Sequence, residues 1–200
     1  MIINKDDENS VEVTSEILKK GGICILPTDT VYGFSGIVGT SQFAPEPPTD
    51  VKIRAIKGRS ETKPLIQLIA RPQDLSLYTD EKIPENLLEK WPGPLTIIVH
   101  TKNDAPLSAQ AKLPTIAFRC PGDEWIRQVI EKTGGPIYST SVNRSGSPVL
   151  DTEAAIEVEF LNEVDLFVKD GDKKNALPST LVTIENGQVK VLRQGSLKID

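Results

Sequence analysis

The apolar run Ile23-Cys24-Ile25-Leu26 follows Gly21-Gly22 and stops at Pro27. Its length and branching are those of a buried strand, and Pro27, lacking a backbone N–H, ends it or brings it to a sheet edge. The residues after Pro27 are small and polar: Thr28, Asp29, Thr30, then Tyr32-Gly33 and Ser35-Gly36. Hydroxyls, a carboxylate and glycines at the end of a buried strand fit a ligand pocket. They fit equally a capped turn in which Thr28 and Asp29 bond their own backbone.

Around this run, helical and strand patterns alternate. Residues 9–20 read as a helix capped by Asn9 or Ser10, with Lys19-Lys20 late and Gly21 past the end. Residues 36–50, with Pro45, Pro47 and Pro48, cannot hold a long helix. A short helix over 51–57, capped by Thr49 or Asp50, closes at Gly58. Strands are expected at 65–70, 95–100, 115–119, 164–169, 181–185 and 189–193, the last two joined by an Asn186-Gly187 hairpin. Helices are expected at 123–132 and 152–161, short helical pieces at 75–78 and 84–91, and a surface loop at 103–113. This order argues for one α/β domain over 1–200 with a mixed sheet.

Two further stretches carry chemistry. Lys52, Arg54, Lys57, Arg59 and Lys63 concentrate positive charge, and Lys57 and Arg59 flank Gly58 so that both reach toward one spot. Such a fork and point charge suit phosphate or carboxylate, although a solvated basic face has the same pattern. Residues 136–148 run a short strand into five hydroxyl side chains, an amide and a glycine. Ser139, Ser141 and Asn143 alternate and face one side of an extended chain, where small donors can surround an oxyanion. It is not a P-loop, because the glycine spacing and the Lys-Ser/Thr ending are absent. Trp91 reads as a core anchor and Arg119, at a strand exit, as a surface charge.

Composition narrows the rest. Net charge is −5, with 38% hydrophobic and 26% charged residues, which suits a soluble chain without a broad nucleic-acid footprint. Cys24 and Cys120 lie far apart without metal-ligand spacing and read as buried thiols in a reducing compartment; His100 has no second histidine. No apolar run reaches spanning length and no signal peptide is evident, so no membrane role and a cytoplasmic setting are expected.

Taken in order, the motifs resemble the threonylcarbamoyl-AMP synthase (YrdC-like) family across nearly the whole chain. They are Pro27-Thr28-Asp29-Thr30-Val31-Tyr32-Gly33, Lys57-Gly58-Arg59 before Pro64-Leu65, and Trp91-Pro92-Gly93-Pro94-Leu95-Thr96. Ile116-Ala117-Phe118-Arg119, Ser139-Thr140-Ser141-Val142-Asn143-Arg144-Ser145-Gly146, Pro178-Ser179-Thr180 and Arg193-Gln194-Gly195 complete the set. Val142 stands where the family usually has Ala, Phe34 where Leu is common, and Ala55 where some members place Lys.

The resemblance implies a YrdC/RibB-like twisted mixed sheet flanked by helices, in the short single-domain form, with a concave basic pocket. It implies that L-threonine, bicarbonate and ATP become threonylcarbamoyl-AMP and pyrophosphate. A tRNA threonylcarbamoyl transferase system then modifies the adenosine beside the anticodon. By the same resemblance Thr30 and Arg119 hold threonine, with Lys63 and Ser139 near threonine or bicarbonate. Lys57, Arg59, Thr115, Ser141, Asn143 and Arg193 hold ATP, with Lys57 and Arg59 as the electrostatic pair and no covalent nucleophile. Mg2+ enters with ATP, and no protein-bound transition metal is expected. The alternative is an RNA-binding or nucleotide-binding paralogue without synthase activity, with weak RNA binding in the concavity.

Overall fold

The computed structural model describes residues 1–58, 64–185 and 187–199. Among these, ten strands form one mixed sheet: β1 (Ile2–Asn4), β2 (Cys24–Leu26), β3 (Gly33–Ser35), β4 (Ile66–Leu68), β5 (Leu95–His100), β6 (Thr115–Arg119), β7 (Ile137–Ser141), β8 (Leu166–Lys169), β9 (Thr180–Glu185) and β10 (Gln188–Arg193). Their order across the sheet is β1-β8-β2-β3-β7-β4-β6-β5-β9-β10. β7 pairs antiparallel with β3 on one side and β4 on the other, and so joins the two halves. Parallel pairs (β1/β8, β2/β8, β4/β6, β5/β9) are mixed with antiparallel ones, as the alternating pattern requires.

β2 shows why the apolar run is a central strand. Cys24 and Leu26 point to one face, among Leu18, Leu166, Val168 and Ile126. Ile25 points to the other, among Phe34, Tyr138 and Phe167. Five α-helices flank the sheet among the described residues: α1 (Ser10–Lys19), α2 (Thr49–Lys57), α3 (Glu85–Leu88), α4 (Glu124–Thr133) and α5 (Glu153–Phe160). α1 and α4 cover the Cys24 face, sharing its apolar cluster. Asp123 caps α4 by accepting from Ile126 N, and Thr152 caps α5 by accepting from Ala155 N. Among the described residues no helix is long and apolar enough to cross a membrane.

Several expectations are corrected. α2 begins at Thr49 with Pro48 before it, so neither Thr49 nor Asp50 is the cap. Thr49 Oγ1 donates instead to Ile37 O at 2.5 Å, and Asp50 pairs with Arg54 at 3.6 Å. Gly58 does close the helix, at φ 60° in the left-handed region. Residues 103–113 are not simply a surface loop: Ala105, Leu107 and Ala111 are buried in the core. β1 and β3 are additional strands.

Candidate functional site

A cleft of about 540 Å³ opens on one face of the sheet. Strand alternation builds its floor: Thr115, Ala117 and Arg119 of β6 face it, while Ile116 and Phe118 turn into the core. Ser139 and Ser141 of β7 lie beside them, with Ile66 of β4 and Ile98 of β5. The loop after β2 supplies Thr28, Thr30 and Tyr32, and the far wall comes from Ser179, Leu181 and Arg193. Gly33 lets β3 approach this floor, since a Cβ there would lie 2.7 Å from Ser139 Oγ. Among the described lining residues there are two arginines and no carboxylate.

Arg119 overturns the surface-charge reading. It is 5% exposed, and its guanidinium is held at three points. Nη2 donates to Asp29 Oδ1 at 2.5 Å, Nη1 to Thr30 Oγ1 at 2.8 Å and Nε to Gly93 O at 3.1 Å. Burial lowers the Arg119 pKa from the ordinary guanidinium value, and the Asp29 charge and hydrogen bond oppose that. Thr28 closes its own turn through Thr30 N and Val31 O, while Asp29 pairs with Arg119 rather than with its own backbone. This stretch is therefore in part the capped turn and also a wall of the cleft.

Arg193, also lining the cleft, donates to Ser179 O from Nε at 3.2 Å and from Nη2 at 2.9 Å. Ser179 Oγ in turn meets buried Thr96 Oγ1 at 2.7 Å. Ser179 received no role from the sequence; the Pro178-Ser179-Thr180 motif was the signal that pointed to it. Asp29 was likewise unassigned.

Thr30, Thr115, Arg119, Ser139, Ser141 and Arg193 are brought together as cleft lining. Lys57 and Asn143 sit beside it. The Lys57 ammonium, on a residue only 4% exposed, donates to Ser141 O at 2.5 Å, Asn143 O at 3.0 Å and Asn143 Oδ1 at 2.9 Å. Ser141 Oγ donates to the same Oδ1 at 2.8 Å. Lys57 also lies 5.5 Å from the centre of the Phe34 ring. Arg59 and Lys63 lie outside the described residues. Trp91 is a core anchor as expected, its Nε1 donating to Leu95 O at 2.6 Å. Among the described residues no group of three or more His, Cys, Asp or Glu is arranged to hold a metal.

A cleft that sets two guanidinium groups and several hydroxyls among apolar side chains suits an anionic ligand by charge complement and donor geometry. A model of the Sua5/YciO/YrdC family, described as telomere recombination, matches residues 16–195. The chain belongs to this family. The threonylcarbamoyl-AMP synthase of Pyrococcus abyssi is 28% identical over 198 residues, covering 97% of this chain and 56% of that protein. That of Pseudoalteromonas translucida is 27% identical over 188 residues, covering 92% of this chain and 97% of that protein. The crystal structure of P. abyssi Sua5 complexed with L-threonine aligns at a TM-score of 0.83 and 27% identity, over 98% of this chain and 58% of that one. This Sua5/YciO/YrdC member therefore spans little more than half the length of its P. abyssi relative.

Proposed function

We propose that this chain is an L-threonylcarbamoyladenylate synthase, converting L-threonine, bicarbonate and ATP to threonylcarbamoyl-AMP, pyrophosphate and water. The supporting observation is one cleft lined by a buried, three-point-held Arg119, by Arg193, whose pKa is lowered by burial and by the nearby Arg119 charge, and by Ser139 and Ser141. In this reading the threonine carboxylate meets Arg119 beside Thr30. Ser139 and Lys63 serve threonine or bicarbonate. The ATP phosphates extend along Thr115 and Ser141 toward Arg193, with Arg59 contributing and Mg2+ arriving as part of the nucleotide substrate. Lys57 and Asn143 act by fixing the backbone turn that presents Ser141.

The amine of threonine attacks the bicarbonate carbon; the N–C bond forms, the C–OH bond breaks, and hydroxyl leaves with the amine proton as water. A carbamate oxygen then attacks the α-phosphorus, and the bond to the bridging oxygen breaks to release pyrophosphate. Neither step needs an enzyme nucleophile, so alignment and charge neutralisation carry the catalysis. The product feeds transfer of the threonylcarbamoyl group to tRNA by a partner system in the cytoplasm.

The test is pyrophosphate release by the purified protein with MgATP, omitting threonine and bicarbonate in turn. Release that needs both, with labelled bicarbonate carbon in an adenylate, supports the reading. Release that is absent from folded protein, or indifferent to threonine, overturns it and turns attention to nucleotide or RNA binding.

A further inference from the structure

We propose that Thr28 is a positioning residue that fixes the direction of the Thr30 hydroxyl, leaving Thr30 able only to accept a hydrogen bond from the ligand. The inference rests on the synthase reading above and deepens it.

A hydroxyl carries one proton and two lone pairs. Thr28 Oγ1 gives its proton to Val31 O at 2.8 Å. Its lone pairs then take Thr30 N at 3.1 Å and Thr30 Oγ1 at 2.9 Å. With the Thr28 proton already committed, the proton between the two hydroxyls belongs to Thr30. One lone pair of Thr30 Oγ1 takes Arg119 Nη1 at 2.8 Å. A single lone pair remains, on a residue that lines the cleft. Thr28 is 3% and Thr30 6% exposed, so bulk water has little access to re-pair either hydroxyl. Most threonine hydroxyls rotate to suit their partner; this one is wired from behind.

Beside a guanidinium that takes a carboxylate, an acceptor-only oxygen takes the adjacent amine N–H. The consequence is chemical. The threonine amine must keep its own lone pair for the bicarbonate carbon. A Thr30 hydroxyl free to donate would occupy that lone pair and hold back the nucleophile. Thr28 prevents this through Thr30, with its own hydroxyl proton committed to Val31 O.

The test compares Thr28→Val and Thr28→Ser in the full chain, measuring pyrophosphate release that depends on threonine and bicarbonate. Thr28→Val should lower kcat about 10-fold, the equivalent of about 1.4 kcal/mol. KM for threonine should stay within about threefold and KM for ATP should not change, since Arg119 still holds the carboxylate. Thr28→Ser should restore kcat. A Thr28→Val protein with wild-type kcat, or one losing kcat and both KM values together without rescue by serine, overturns the proposal. A wild-type protein with no threonine-dependent release overturns the synthase reading and this inference together, and the wild type alone shows it. If Thr28→Val does not fold, the wild type still decides. Competing with threonine, 2-aminobutyrate should inhibit at least about 10-fold better than 2-oxobutyrate, whose carbonyl would face the Thr30 lone pair. Equal inhibition overturns the proposal.

Discussion

Arg119 and Asp29 form an ion pair at 2.5 Å between a guanidinium side chain 6% exposed and a carboxylate side chain 20% exposed. The cation is inside and its partner stands nearer solvent, behind the cleft wall. Removing the partner leaves a charge that burial already disfavours. Asp29→Ala should therefore destabilise the protein by about 2 kcal/mol, lowering Tm by roughly 4–8 °C. Asp29→Asn keeps an acceptor for Nη2 and should lose about half as much. Urea midpoints at constant m check this, and an Asp29→Ala midpoint equal to wild type would refute the coupling.

Thr96 and Ser179 meet as two buried hydroxyls at 2.7 Å. Ser179→Ala takes the partner from the buried Thr96 hydroxyl and should cost about 1–2 kcal/mol. Thr96→Val leaves Ser179 Oγ still accepting from Arg193 Nη2 at 3.2 Å and should cost less. The double variant should cost about 1 kcal/mol less than the sum of the singles. Strict additivity in a double-mutant cycle would show that the pair is not coupled.

Ser141 presents its hydroxyl to the cleft while its carbonyl is held by Lys57. Ser141 Oγ donates to Asn143 Oδ1 and, on the proposed role, turns that proton to the ligand. Ser141→Ala should therefore lower turnover roughly 10²-fold, the scale of losing one oxyanion donor. Arg59→Ala is expected to do the same on the family motif. Circular dichroism and Tm must stay at wild-type values for the result to count, and wild-type turnover in such folded variants would remove both roles.

Burial pushes the Cys120 thiol up to about 12 and raises Cys24 further still. Both are therefore protonated at pH 8 and should be silent toward a disulfide reagent in the native protein. Both of the chain's two cysteines should react on unfolding. The raised values also carry a sign. The native state keeps protons that the unfolded thiols, with values of about 8.5, release. This contribution is fully present below that value and is lost as pH rises from there toward 12. Rapid labelling of native protein at pH 8, or alkaline stability unchanged by Cys120→Ala, would contradict this.

Much of the scaffold was legible. Runs 95–100 and 115–119 are strands with those bounds, α4 and α5 follow their caps, and β9 and β10 pair antiparallel as the closing hairpin requires. β3 was hidden because Gly33-Phe34-Ser35 offers one bulky side chain; its identity comes from pairing with β2 and β7, not from local propensity. β1 is three residues long and gains its state from β8. Arg119 could not be placed by local reasoning, because its counter-charge lies 90 residues away along the chain. Ser139 and Ser141 do line the cleft, but Thr140 between them does too, so alternation alone does not mark the lining. Asn143 turns back instead to Lys57, a partner 86 residues distant.

The strand order has a consequence for how the site meets a ligand. Its walls come from chain positions as far apart as Thr28 and Arg193, and they meet only because β7 stitches the halves of the sheet together. Both arginines lie in one half of the sheet, on β6 and β10, whereas Thr28 and Thr30 come from the other half, between β2 and β3. A molecule that bridges Thr30 and Arg193 ties the first strands to the last, so occupancy registers as resistance of the entire chain to unfolding. Saturation at 100 times the dissociation constant adds about 2.7 kcal/mol. Backbone amides at the sheet's centre would then exchange more slowly in step with those at the cleft, as in a knot drawn tight from both ends.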